Sequence, residues 1–323
     1  MVLTGSHGYV HYGEESTYGG GATQTRAFGL EQKVNSLTYK NNQLPLNQLN
    51  SIEVKTFAYG KNEGSGSVDF VLSNPWMFDA ILGGHDKTSA TNDYSYTWNS
   101  DATALSADNV GVKTPKSFDI EVGLDIADPL ANNEVRNLKG AVFQSFNIKS
   151  SINETVKCTA DFTYGIIDAF TTSLGTPSGD GINFPYTFSH ATLQLPSGST
   201  VAEVQDIDIS FNLNTELLYQ QGSASAVGAF RKVFEMTGKL NAGYVDKTYL
   251  QKVLDRTETA TLKVTFTNGL SGTSEKSIVI TFTGVGISEH SYSIAPAEPI
   301  FQDLTFQMRS VSVTANNSVS AIP

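Results

Sequence analysis

Apolar and polar residues alternate in steps of two along most of this chain. Phe118, Ile120, Val122 and Leu124 alternate with Asp119, Glu121 and Gly123. Ile207, Ile209, Phe211 and Leu213 do the same with Asp208, Ser210 and Asn212, as do Leu262, Val264 and Phe266 with Lys263 and Thr265, and Ile278, Ile280 and Phe282 with Val279 and Thr281. Period two places successive side chains on opposite faces, so each run predicts a strand with one buried and one wet face. Two runs change parity. Leu304, Phe306 and Met308 give way to Val311 and Val313, and 141–148 behaves similarly. A one-residue shift moves the whole apolar set to the other face, which predicts a bulge or bend where a strand crosses between sheets.

Helical signals are few. Ser73-Asn74-Pro75 ahead of Trp76-Met77-Phe78-Asp79-Ala80-Ile81-Leu82, with Gly83 behind, predicts a helix over 75–82. Asp246 caps a second, over 246–254, whose apolar side is Tyr249, Leu250, Val253 and Leu254. Around these helices the predicted elements repeat in order. The first set is strands near 51–59 and 67–72, the helix, then strands 117–124, 139–150 and 155–164. The second set is strands 204–218 and 227–237, the helix, then strands 260–267, 276–284 and 302–313. The expectation is an architectural duplication. A Gly/Ser/Pro run, Thr171 to Gly181, reads as the join. The expected organisation is therefore an N-terminal arm at 1–30, a first β domain at 31–170, a linker at 171–185 and a second β domain at 186–323. The polar run 83–114 reads as an extended loop with a short strand inside.

Composition sharpens this picture. The 323 residues are 39% hydrophobic and 16% charged, low for a cytosolic enzyme and suited to short strands joined by many turns. The formal net charge is −11, which disfavours stable binding of nucleic acid because phosphate contacts need Lys and Arg. The lone cysteine, Cys158, lies on the apolar parity of its strand, so no disulfide forms within the chain and the thiol reads as structural. No basic and apolar leader opens the sequence, and no stretch reaches roughly 18 consecutive apolar residues. The expectation is synthesis in a cytoplasm and no entry into a bilayer.

Chemistry-bearing patterns are weak. The Gly-rich stretch Tyr18-Gly19-Gly20-Gly21-Ala22 lacks the strand-before, helix-after context of a phosphate cradle and reads as a flexible arm. His7 and His11 fall on one strand face but over 12 Å apart at roughly 3.3 Å per residue, and no zinc-type spacing occurs. The carboxylate pairs Asp119/Glu121 and Asp206/Asp208 sit on polar strand faces with no aromatic pattern to hold a sugar between them. No catalytic residues, cofactor or metal are expected. Tyrosine instead concentrates near the start and in the loops, at Tyr9, Tyr12, Tyr18, Tyr59, Tyr94 and Tyr96. Tyrosine is enriched at protein interfaces, which makes these the candidates for subunit and ring contacts.

The opening run Gly8-Tyr9-Val10-His11-Tyr12-Gly13-Glu14-Glu15-Ser16-Thr17-Tyr18-Gly19 resembles the start of tail tube proteins of tailed phages and viruses. The segment Gly64 to Pro75 is similar to that family's strand-then-helix element, and 117–124 with 138–146 to its next hairpin. The resemblance implies a mainly β fold of two tandem tail-tube-like β-sandwich/barrel units, each with one short α-helix. It implies a structural virion protein, not an enzyme, that polymerises into stacked rings forming a hollow tube for viral DNA. The partners are then further copies of itself, other tail proteins and DNA in transient passage. A duplicated member is expected to form trimeric, pseudo-hexameric rings, with a hexamer as the alternative. Asp119, Glu121, Asp206 and Asp208 become candidates for an acidic lumen, and 13–30, 59–66 and 83–114 for contacts between rings. A β-sandwich binding module of a virion (baseplate, fibre or capsid decoration) is the alternative reading.

Overall fold

The alternating segments fold as strands in a computed structural model, which describes residues 8–49, 53–90, 93–100, 115–124, 134–168, 184–196, 198–201, 203–270 and 275–318. In chain order they are β1 (Gly8–Glu14), β2 (Arg26–Ala27), β3 (Leu30–Lys40), β4 (Gln43–Asn47), β5 (Val54–Tyr59), β6 (Glu63–Val71), helix α1 (Met77–Leu82), β7 (Asp86–Ala90), β8 (Asp93–Asn99), β9 (Phe118–Leu124), β10 (Glu134–Ser151), β11 (Lys157–Tyr164) and β12 (Ile166–Ile167). There follow β13 (Ala191–Gln194), β14 (Val204–Asn212), β15 (Thr215–Tyr219), β16 (Ala226–Arg231), β17 (Glu235–Gly243), helix α2 (Thr248–Asp255), β18 (Thr259–Thr267), β19 (Ser277–Tyr292), β20 (Phe301–Met308) and β21 (Ser310–Asn317). The chain is mainly β, as expected. The join expected at 171–181 lies outside the described residues.

One antiparallel sheet dominates, in the order β3-β6-β11-β10-β14-β17-β20-β19. Two smaller sheets pack on its inner side: β2-β1-β9-β10-β12 and β13-β18-β19-β21-β8-β7. β10 and β19 serve two sheets each. Their registers slip between Phe143 and Ser145 and between Ile287 and Glu289, and these bulges let one strand turn from layer to layer. The predicted parity change near 308–311 is the turn at Arg309 that carries the chain from β20 in the large sheet to β21 in a small one.

The core lies between the layers and is rich in rings. Phe28 meets Phe70 at 5.7 Å, Phe78 meets Phe146 at 5.9 Å and Phe211 meets Phe282 at 6.0 Å. Each such side chain contributes roughly 1.5–3 kcal/mol by leaving water. The two helices differ. Every residue of α1 is buried, and Asn74 accepts a hydrogen bond from the Trp76 backbone N–H ahead of it. In α2 none is fully buried; the helix starts at Thr248 with Lys247 at the cap position, and Asp246, the expected cap, lies one residue ahead and accepts from the Thr248 N–H.

Backbone details recur at matched places. The hairpins β4–β5 and β15–β16 share one register: Gln43 faces Tyr59 as Thr215 faces Arg231, and Asn47 faces Val54 as Tyr219 faces Ala226. Left-handed residues recur in step at Glu31 and Glu203 (φ 50 and 56), Asn42 and Asn214 (44 and 47), Gly140 and Gly284 (both 63), and Asn153 and Ala297 (62 and 64). Gly66 lies under the Phe162 ring and Gly238 under the Phe306 ring, where any Cβ would collide with the aromatic. Several strands carry no pattern in the sequence, β3, β4 and β13 among them. β3 and β4 are exposed along nearly their whole length, so no apolar face marks them, and β13 is only 4 residues long.

Candidate assembly surface

The outer face of the large sheet is a broad wall of small and charged side chains. Ser65, Ser67 and Asp69 of β6 point outward between buried Gly66, Val68 and Phe70, as do Thr159 and Asp161 of β11 and Ser145 and Asn147 of β10. On the second half Asp206, Asp208 and Ser210 of β14, Thr237 and Lys239 of β17, and Asp303 and Thr305 of β20 continue it. Carboxylates here are tethered laterally. Thr159 donates to Asp69 at 2.7 Å, Ser145 to Asp161 at 2.5 Å, Asn147 to Asp208 at 2.5 Å and Asn241 to Asp303 at 2.7 Å. Each acid's side chain is held along the sheet by a neutral donor. These described residues of the wall give a base no aromatic or aliphatic side chain to stack on, and its acids, which repel phosphate, stand among Lys149, Lys157 and Lys239.

Both ends of this sheet are unpaired among the described residues. β3 bonds only to β6, and the stretch 286–292 of β19 bonds only to β20. Open edges of this kind are templates for pairing with another chain. Beside the β3 end, hairpin β4–β5 exposes Leu44, Leu46, Leu49 and Phe57, with Leu49 94% exposed.

The sequence-predicted contact tyrosines separate into groups. Tyr12 and Tyr96 are core residues, fully buried against Phe28 and Trp76 respectively. Their strands turn those rings inward, which corrects the expectation of surface contacts. Tyr9 donates its hydroxyl to Glu121 at 2.7 Å, Tyr18 lies against Gly140, and Tyr94 is half-buried beside the Lys87 ammonium at 4.6 Å. Tyr59 alone of the six is largely exposed, at 69%.

The acidic pairs separate too. Asp206 and Asp208 are on the outer wall. Asp119 and Glu121 are enclosed, 2% and 5% exposed, because the turn that follows β1 folds over Asp119 and the Tyr9 hydroxyl closes on Glu121. Asp119 accepts from the Ala22 N–H and the Asn137 amide, and burial pushes its carboxyl up from the ordinary range. They do not line a surface of this chain. The Gly-rich stretch is likewise no free arm. The buried Glu15 carboxylate accepts from the backbone N–H groups of Gly19 at 2.8 Å, Gly21 at 3.2 Å and Gly140 at 3.1 Å. Of the run 83–114, residues 86–90 and 93–99 are strands of a small sheet, and 101–114 lie outside the described residues.

A charged knot that sequence patterning missed braces α1. Asp79, 1% exposed, accepts from Arg26 Nη1 at 3.3 Å, Lys116 Nζ at 3.2 Å, His85 Nδ1 at 3.0 Å and Trp98 Nε1 at 3.2 Å. Burial alone raises its carboxyl, but the His85 bond and the Lys116 and Arg26 charges outweigh that and hold it down at about 2. The four donors come from four separate stretches of chain, so only the fold assembles them. No group of three or more His, Cys, Asp or Glu among the described residues is arranged to hold a metal ion. No described helix is long and apolar enough to cross a membrane. Cys158 is buried, and burial pushes its thiol well up.

A search of curated proteins gives no match. The family model described as "Phage tail tube protein" matches residues 5–308, spanning the polar wall, both open edges and both hairpins. The chain belongs to the phage tail tube protein family, structural components of the virion.

Proposed function

We propose that this chain is the ring-forming subunit of a tail tube, that its eight-stranded sheet lines the lumen, and that three copies close each ring. The observation that carries the reading is the large sheet itself, with a polar outer face and two unpaired edges. Joining copies edge to edge removes both edges, which a lone subunit leaves open to aggregation. The matched registers and left-handed positions of 31–71 with 203–243, and of 140–153 with 284–297, support two tandem units per chain. Six units then come from three chains, and a closed ring follows from a heterologous contact of suitable rotation. The tethered acids Asp69, Asp161, Asp208 and Asp303 favour passage of DNA over its capture. Ring stacking, a second heterologous contact, makes the filament.

Electron microscopy of the purified chain tests this. Annular particles or hollow tubes are expected, with mass photometry giving species in multiples of three subunits. A stable, discrete monomer under every assembly condition overturns the proposal, and six chains per ring overturn the stoichiometry.

A further inference from the structure

The contact between the two halves of one chain is a template for the contact between chains. We propose that in the ring the stretch 289–292 of one copy pairs antiparallel with 37–40 of the next, His290 opposite Tyr39, while hairpin β4–β5 of that next copy lies over α2. This rests on the ring reading above and adds its register and partner surfaces.

Within the chain, β10 ends the first half's set of large-sheet strands and pairs with β14, which starts the second. Ser145 faces Asn212, Phe146 faces Phe211, Asn147 faces Ser210 and Ile148 faces Ile209. The bulges place β10 on β19: Phe143 is followed by a slip before Ser145, and Ile287 by a slip before Glu289. The glycines under aromatic rings place β14 on β3, since Gly238 faces Ile209 and Gly66 faces Leu37. Carrying the inner seam to the outer edges sets Glu289 opposite Lys40, His290 opposite Tyr39, Ser291 opposite Thr38 and Tyr292 opposite Leu37. The result is chemically sensible although nothing in the transfer required it. A carboxylate meets an ammonium, two rings meet as Phe146 and Phe211 do, and two small hydroxyls meet on the polar wall. Tyr39 and Tyr292, each over 40% exposed in the lone chain, gain cover.

The hairpins follow the same logic. β15–β16 folds back on the first half: Arg231 Nη1 donates to the carbonyl of Ile81 in α1 at 2.9 Å, Tyr219 to the carbonyl of Asn62 at 2.7 Å, and Ala226 abuts Gly165. Helix α1 is wholly buried beneath such cover. Its counterpart α2 has no fully buried residue and leaves Leu254 66% exposed. The counterpart hairpin, β4–β5, has equal length and register and stands exposed, with Leu44, Leu46, Phe57 and Tyr59 open to solvent. In this arrangement Tyr59, which occupies the place of Arg231, meets the α2 of the neighbour.

Paired cysteines test the register, since the chain's own thiol is buried. Directly opposed antiparallel residues have Cα atoms about 4.5–5.5 Å apart, within the roughly 4.4–6.8 Å a disulfide accepts. Under mild oxidation, Thr38→Cys with Ser291→Cys gives a covalent ladder ending at three subunits, and Lys33→Cys with Ser291→Cys, over 7 Å out of register, gives none. Tyr59→Cys with Leu254→Cys is joined between copies by a short bis-maleimide. Because cysteine variants can misfold, a charge swap provides a second arm. Lys40→Glu and Glu289→Lys each raise the concentration for half-assembly about fivefold at low salt, an effect of the size expected for a cross-strand ion pair, and the double swap restores it. Rings that form but cross-link through Lys33 rather than Thr38, or ignore the swaps, overturn this inference and leave the ring reading intact. Wild-type protein that forms no ring overturns both.

Discussion

Replacing Asp79 by Asn keeps the side chain's shape and removes its charge, so it isolates the electrostatics of the knot around α1. In the native chain four donors converge on the two carboxylate oxygens at 3.0–3.3 Å. Arg26 and Lys116 share one carboxylate oxygen and His85 and Trp98 the other, so whichever way the Asn amide turns, its N–H groups face a pair of donors and the two cations lose their counter-charge. Breaking a buried ion pair by removing one partner costs about 3–5 kcal/mol. The lower end applies here, because Lys116 also reaches Glu14 at 2.9 Å and is partly exposed. A loss of about 3 kcal/mol is a large share of the roughly 5–15 kcal/mol typical of a domain. The pH dependence supplies an independent arm. The folded carboxyl lies below its unfolded value, so its stabilisation is fully present above about pH 4–5 and is lost as pH falls toward about 2. A depression from 3.8 to about 2 corresponds to about 2 kcal/mol. Urea unfolding of monomeric protein, followed by the fluorescence of Trp76 and Trp98 beside the knot, measures both. Asp79→Asn should shift the midpoint down at pH 7 with an unchanged slope, and should lack about 2 kcal/mol of the wild-type loss between pH 5 and 2. A variant within 1 kcal/mol of wild type at pH 7, or one keeping the full acid slope, refutes the reasoning.

Other expectations follow from particular contacts. Gly66→Ala and Gly238→Ala each drive a methyl into an aromatic ring and should cost about 1–3 kcal/mol; thermal unfolding checks this, and Phe162→Leu should recover part of the Gly66→Ala loss if the collision is the cause. Glu15→Ala removes the acceptor of three backbone N–H groups, so hydrogen exchange over 16–22 should speed at least tenfold while the strands stay protected, and unchanged exchange counts against the clamp. Asp206→Arg with Asp208→Arg reverses charge on the outer wall; tubes should still form but retain double-stranded DNA in a salt-sensitive way in a fluorescence binding assay. Equal DNA retention by the variant and wild-type tubes would argue that this face does not line the lumen.

Much of the fold was legible because burial on one face leaves a period-two trace. The alternation at Phe118–Leu124 and Ile207–Leu213 located β9 and β14, and the slip between Met308 and Val311 located the turn where β20 becomes β21. Gly83 marked the end of α1, and Pro75 and Asp246 lie just ahead of helices that start at Met77 and Thr248, because termini demand particular backbone geometry. The family was legible in the opening run and the strand-helix segment. What stayed hidden was whatever depends on which surfaces meet. β3 carries no clear one-faced pattern because it is an edge strand, exposed along most of its length. Tyr12 and Tyr59 look alike in sequence, yet a strand's direction buries one and a hairpin's projection exposes the other. Asp119 and Asp208 both alternate with apolar neighbours, but the turn after β1 folds over the first while the second stays on the wall. Periodicity is a local property, set by the rise and pleat of the backbone, and the sequence by itself determines it. Which polar face is covered, which edge is left open and which distant cations converge on Asp79 are properties of strand order, and these the tertiary structure alone decided.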